Sequence, residues 1–151
     1  MPSSIRFQTA VEKLYKAFHS DHLHPECYQQ CAVGNICDQR DFWRHFTDDH
    51  GSNELNYVGR VHQLLGRTYQ GYTPQELIEI EAAFLQGCGY SLPLRFQSKN
   101  NINPHDKNVH FEGLCAAIQK LCELDKMKDP LDISTLLEYT PQAKTSHLVA
   151  M

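Results

Sequence analysis

With 151 residues, an apolar fraction of 41% and a formal net charge of −4, the chain has the size and composition of one ordinary globular domain, large enough for a core without disulfide staples. No basic block or stripe favours a nucleic-acid partner, and no apolar run reaches the length of a membrane span. The opening MPSSIRFQTA lacks an apolar stretch before a small-residue cleavage site, so a cytoplasmic protein with reduced cysteines is expected.

In chain order, Phe7, Val11, Leu14, Tyr15 and Phe18 recur at helical spacing and predict a first helix, with Ser3 or Ser4 as N-cap. A second, short helix is expected to begin at Pro25 and to end where Gly34 takes a left-handed conformation. QRDFWRHFTDD predicts a third, closed by Gly51. In NELNYVGRVHQLLG, Tyr57, Val61, Leu64 and Leu65 outline an apolar helix face that Gly59 weakens.

The strongest start signal is TPQE. Thr73 is the cap, Pro74 the first helical residue and Glu76 the closing member of a capping box. Leu77, Ile80, Phe84 and Cys88 continue that helix on one face, and the glycines of QGCGY end it. SLPLRFQSKNNINP is a polar loop. Asn103 is the expected cap of the last long helix, whose buried face would carry Val109, Leu114, Ala117, Ile118, Leu121 and Cys122. A short helical piece at ISTLLEY and a frayed tail from about residue 140 complete the chain. With no hairpin, repeat or linker, the expected architecture is all-α, a single compact domain of about five to six helices spanning residues 1–151.

The chemistry is concentrated in HPECYQQCAVGNIC, residues 24–37, which holds three of the six cysteines. Cys27 and Cys31 share a face if helical, and a turn at Gly34 would return Cys37 towards them. Clustered cysteines in a reducing compartment are commonly metal ligands or redox groups, and a bound metal keeps their sulfurs deprotonated. The expected metal ligands are Cys27, Cys31, Cys37 and Cys88. Cys88 closes the site because its flanking glycines permit close approach. His24 is the second choice for the fourth position, with His22 and His50 behind it. Cys115 and Cys122 lie seven apart on the last helix and read as core.

The spacing C-x₃-C-x₅-C is looser than the usual zinc knuckle, which tilts the expectation towards an iron–sulfur cluster, with zinc as the alternative. The competing reading is a metal-free interaction or regulatory module with packed thiols.

HFTDDH, residues 45–50, offers imidazoles and carboxylates for a harder metal or for acid–base work, but reads more simply as a solvated turn. Glu79, Glu81 and Glu112 lack the Glu-x-x-His partners of a di-iron bundle. There is no phosphate loop, nucleophile elbow or dinucleotide fingerprint, so no catalytic residue and no enzyme class is assigned.

The blocks HPECYQQCAVGNICD, TDDHGSNELNYVG, IEAAFLQGCGYSLPL and GLCAAIQKLCELD resemble a family of small bacterial proteins of the Bacteroidetes type. Members are called components of a sodium-translocating NADH–quinone reductase, and the resemblance covers roughly residues 5–126. It implies electron transfer and a protein redox partner. The larger reductase component of that name has a membrane anchor and flavin, NADH and ferredoxin modules. This sequence shows no such anchor, and it has C-x₃-C-x₅-C in place of the ferredoxin C-x₄-C-x₂-C, so no catalytic residue carries over.

Overall fold

The computed structural model describes residues 5–90 and 102–126. Among them are five α-helices: α1 (Ile5–His19), α2 (Ala32–Ile36), α3 (Tyr57–Leu64), α4 (Pro74–Cys88) and α5 (Lys107–Leu124). A 3₁₀ turn, Phe42–Phe46, stands between α2 and α3. Among the described residues the only β feature is an isolated bridge between Tyr69 and Tyr72. The fold is all-α, and no described helix is long and apolar enough to cross a membrane.

Three long helices make the frame. Arg6, in the first turn of α1, joins Asp125 just past α5 at 2.8 Å and Glu76 in the first turn of α4 at 2.9 Å. At the other end Lys107, which opens α5, reaches the Phe18 carbonyl and Asp21. Gly87 and Cys88 meet the middle of α5 at Gly113 and Ala116. These contacts make α5 antiparallel to both α1 and α4. The core between them holds Leu14, Phe18, Leu77, Ile80, Phe84, Leu114, Ile118 and Leu121, all essentially inaccessible to solvent. Each such side chain contributes on the order of 1.5–3 kcal/mol by leaving water.

Helix α4 starts as its sequence dictates. The Thr73 side chain accepts from the Glu76 N–H, the Glu76 carboxylate accepts from the Thr73 N–H at 3.0 Å, and Pro74 opens the helix. Gly89, at φ 109°, ends it in the left-handed region.

Elsewhere local signals are overruled. Residues 25–30 form turns, and the helix there is confined to Ala32–Ile36. Gly34 lies inside α2 instead of ending it. A Cβ at this position would fall within 3.0 Å of the Tyr28 carbonyl and the Gln29 backbone, so glycine is required for close approach and not for a left-handed turn. The expected QRDFWRHFTDD helix contracts to the 3₁₀ turn, although Gly51 does take a positive φ of 91°. Asn103 does not cap α5. Its side chain accepts from the His105 N–H, and Asp106 is the N-cap.

The largest departure is α3. Its apolar residues point outwards, and Gly59 is the face that packs, because only a glycine fits beneath the Phe46 carbonyl and the Leu55 side chain. On α5, Val109 and Cys115 are partly buried, whereas Leu114, Ala117, Ile118, Leu121 and Cys122 are fully inside, joined by His110 and Phe111. The SLPLRF loop, the ISTLLEY piece and the tail lie outside the described residues.

Candidate metal centre

The site begins in the turn that precedes α2. The Cys31 N–H donates to the Cys27 carbonyl at 2.8 Å, which sets the two cysteines one helical turn apart. Cys31 is the N-cap of α2, and its sulfur accepts from the Gly34 N–H at 3.4 Å. Asn35 secures the turn from inside, donating from its amide to the carbonyls of His22, Gln30 and Cys31. Lys13 of α1 donates to the Ile36 carbonyl at the C-terminal end of α2, where a cation is favoured.

Two further chain segments converge on Cys31. Glu81 sits in the middle of the apolar face of α4, with no exposed surface. One of its oxygens accepts from the Val33 N–H at 3.2 Å, and the other lies 2.6 Å from His50 Nε2. His50 comes from the loop after the 3₁₀ turn and is itself buried. Its ring stacks on Tyr28, with centroids 4.4 Å apart and planes at 27°, and Trp43 stands at 5.9 Å. Trp43 Nε1 donates to the Tyr28 carbonyl at 3.2 Å, which fixes the stacking ring. Ligand atoms of Cys31, His50 and Glu81 all lie within 4.8 Å of one another, and the three form a buried group able to hold a metal ion.

Electrostatics agree with that capacity. Burial pushes the Cys31 thiol well above the ordinary cysteine value, reinforced by the neighbouring Glu81 carboxylate, to which it also hydrogen-bonds. A thiolate and a carboxylate here would carry two negative charges, with the His50 imidazole as the basic partner of Glu81. A divalent cation matches that charge, whereas an apolar pocket around uncompensated anions is costly. The raised value also argues against a nucleophilic cysteine, which works as the thiolate.

The four cysteines expected as ligands occupy different surroundings. Cys31 is in the group. Cys27 is half-buried and close enough for its charge to raise the Cys31 value. Cys88 lies two turns along α4 from Glu81, feels the Glu81 charge, and accepts from the Gly113 N–H of α5. Cys37 is at the far end of α2, pushed up to about 12 by burial, with Lys13, Asp38 and Arg40 as its charged neighbours. Among the described residues, Cys27, Cys37 and Cys88 enter no three-donor group of their own.

Of the imidazoles and carboxylates of the HFTDDH segment, His45 and Asp48 are exposed, Asp49 is half-buried and His50 is buried. His24 packs edge-on against His105, 4.9 Å between centroids, and not against the cysteines' group.

Glu81 had a signal in the sequence: it falls on the Leu77, Phe84 and Cys88 face, where a carboxylate has no reason to be unless something inside requires it. For His50 the flanking Asp49 and Gly51 gave the opposite, solvated impression.

No family model, curated protein or solved structure matches the chain. The site therefore rests on its own chemistry.

Proposed function

We propose that this chain is a small helical metal-binding protein whose centre is one zinc ion held by Cys31, His50 and Glu81, with Cys27 completing the shell. The observation that supports this is the convergence, in a water-excluded place, of one sulfur, one imidazole and one carboxylate from three separate chain segments. That mixed S/N/O set suits a single borderline ion. An iron–sulfur cluster would call for several thiolates together. The 2.6 Å between His50 Nε2 and Glu81 Oε2 is the distance of a short hydrogen bond. A tetrahedral zinc shell sets such donors about 3.3 Å apart, so loading would replace that hydrogen bond with bonds to the metal and part these two atoms by less than about 1 Å. Cys27 is the proposed fourth ligand because its carbonyl accepts from the Cys31 N–H one turn away and its charge bears on the Cys31 thiol, so that its sulfur would swing in on loading.

A zinc ion so enclosed would tie α2, the His50 loop and α4 together and add its binding free energy to folding. The four-cysteine set of Cys27, Cys31, Cys37 and Cys88 is the competing arrangement, and it is the one that an electron-transfer role would need. The test is to strip the protein with a chelator and titrate it with zinc by calorimetry, then with cobalt(II), which reports thiolate ligation by near-ultraviolet absorption. Expected are one ion per chain and a thiolate band, both lost in Cys31→Ser, His50→Gln and Glu81→Gln. A parent that takes up no stoichiometric ion would overturn the proposal, as would binding unchanged in all three variants. Iron and sulfide in protein purified without oxygen would favour the four-cysteine arrangement instead.

A further inference from the structure

Three histidines that the Cys31 centre leaves unused meet beside the start of α5. His24 comes from the segment after α1, His105 from the turn before α5 and His110 from the first turn of α5. The His24 ring packs against both others, its centroid 4.9 Å from that of His105 and 6.3 Å from that of His110. Asn103 fixes the turn that presents His105. Its side chain accepts from the His105 N–H at 2.9 Å and its carbonyl from the Asp106 N–H at 3.0 Å.

His110 marks the place. It is only 6% exposed, and its Nε2 donates to the Pro104 carbonyl at 2.6 Å. Burial holds the His110 and His24 rings below the ordinary histidine value, so both are neutral at neutral pH. The one ring proton of His110 is therefore on Nε2, and Nδ1 is a bare lone pair. Among the described residues that buried atom has no hydrogen-bond partner. An acceptor left so is costly and calls for a water or an ion. A backbone carbonyl that holds the proton on the far ring nitrogen is also how metal-bound histidines are oriented.

We propose that His24, His105 and His110 bind a second divalent cation, a borderline ion such as zinc, with His110 Nδ1 as its buried ligand. The site is separate from the Cys31 centre and does not depend on it. Three imidazoles on one tetrahedral ion place their ring centroids about 5 Å apart, close to the separations seen here. Their donor atoms do not lie as near one another as those of Cys31, His50 and Glu81, so loading draws the rings in. His105 is exposed and turns without moving the core. His24 is held by a long bond, 3.3 Å from the Glu26 N–H to its Nδ1. The surrounding charge favours a cation. Asp21 and Asp106 bear on His110 and Glu26 bears on His24, against one Lys107 that Asp21 already pairs. Imidazole donors suit zinc, nickel or copper(II), whereas magnesium and calcium call for oxygen.

The experiment is a zinc titration of the full chain at about pH 7.5, above the ordinary histidine value, followed by long-range proton–nitrogen NMR of the imidazole rings. His50 reports the Cys31 centre, while His24, His105 and His110 report this one, so the two sites are read apart. Before zinc, the His110 ring should show the Nε2-protonated tautomer. Zinc should then shift the ring nitrogens of all three histidines together. His105→Ala, at an exposed position that leaves the fold intact, should weaken that response at least about tenfold, the loss of one of three ligands. His22→Ala, also exposed, should leave it unchanged. A shift of these three rings with His50 unmoved would support this site and overturn the first. The proposal fails if His50 responds alone, or if zinc up to about 1 mM leaves the His110 nitrogens where they were. It also fails if His24→Ala and His105→Ala both bind as the parent does.

Discussion

Substitution of Glu81 separates the two contributions this residue makes, one to the polar interior and one to the metal. Glu81 is fully buried and accepts from the Val33 N–H and from His50 Nε2. Glu81→Ala strands both donors at about 1–3 kcal/mol each and leaves a small cavity, for a loss of about 4–6 kcal/mol. Glu81→Gln keeps an oxygen for Val33 and exchanges one charge-assisted hydrogen bond for a neutral one, so its loss is about 1–2 kcal/mol. Urea unfolding in the presence of a chelator measures both, against a total of about 5–15 kcal/mol for a domain of this kind. Zinc at about a hundred times its dissociation constant should then add about 2.7 kcal/mol to the parent, a rise in Tm on the order of 10 °C. Neither variant should show that rise. If Glu81→Ala unfolds within about 0.5 kcal/mol of the parent, the buried carboxylate is not holding its neighbours and the reasoning from burial is wrong. If the zinc increment survives in both variants, Glu81 is not a ligand.

Gly113→Ala should lower stability by about 1–3 kcal/mol despite alanine's better helix propensity, because the new Cβ meets the Phe84 ring at 2.9 Å and the Cys88 sulfur; thermal unfolding checks it. Cys37→Ala should keep full zinc occupancy by elemental analysis while Cys27→Ser binds more weakly, since the Cys27 charge bears on the Cys31 thiol whereas Cys37 stands at the far end of α2. Burial holds the folded-state values of His24 and His110 below the ordinary histidine value of 6.5, so the unfolded chain takes up these protons first. Stability should therefore fall as pH drops through that value, and urea midpoints at about pH 7.5 and 5.5 should differ less in His110→Asn than in the parent.

Local rules decided much of the helical frame before any packing is considered. Thr73, Pro74 and Glu76 start α4 because the cap, the fixed φ and the returning carboxylate all act within one turn. The apolar periods of α1 and α5 likewise state which faces go inside, since neighbours three and four apart share a face whatever else the chain does. The turn linking Cys27 to Cys31 is of the same local kind.

The centre itself is not local. Glu81 is 48 residues from Val33 and 31 from His50, and their meeting depends on how α4 seats α2 and the loop against itself. Backbone clearance, invisible in hydropathy, made the other decisions. Gly34 lets α2 press on the Tyr28–Gln29 backbone, and Gly59 turns α3 so that its glycine side packs and its leucines face outwards. A periodic pattern says that a helix has two faces. Which face is buried depends on which one the neighbouring backbone has room for, and that is settled only when the elements pack.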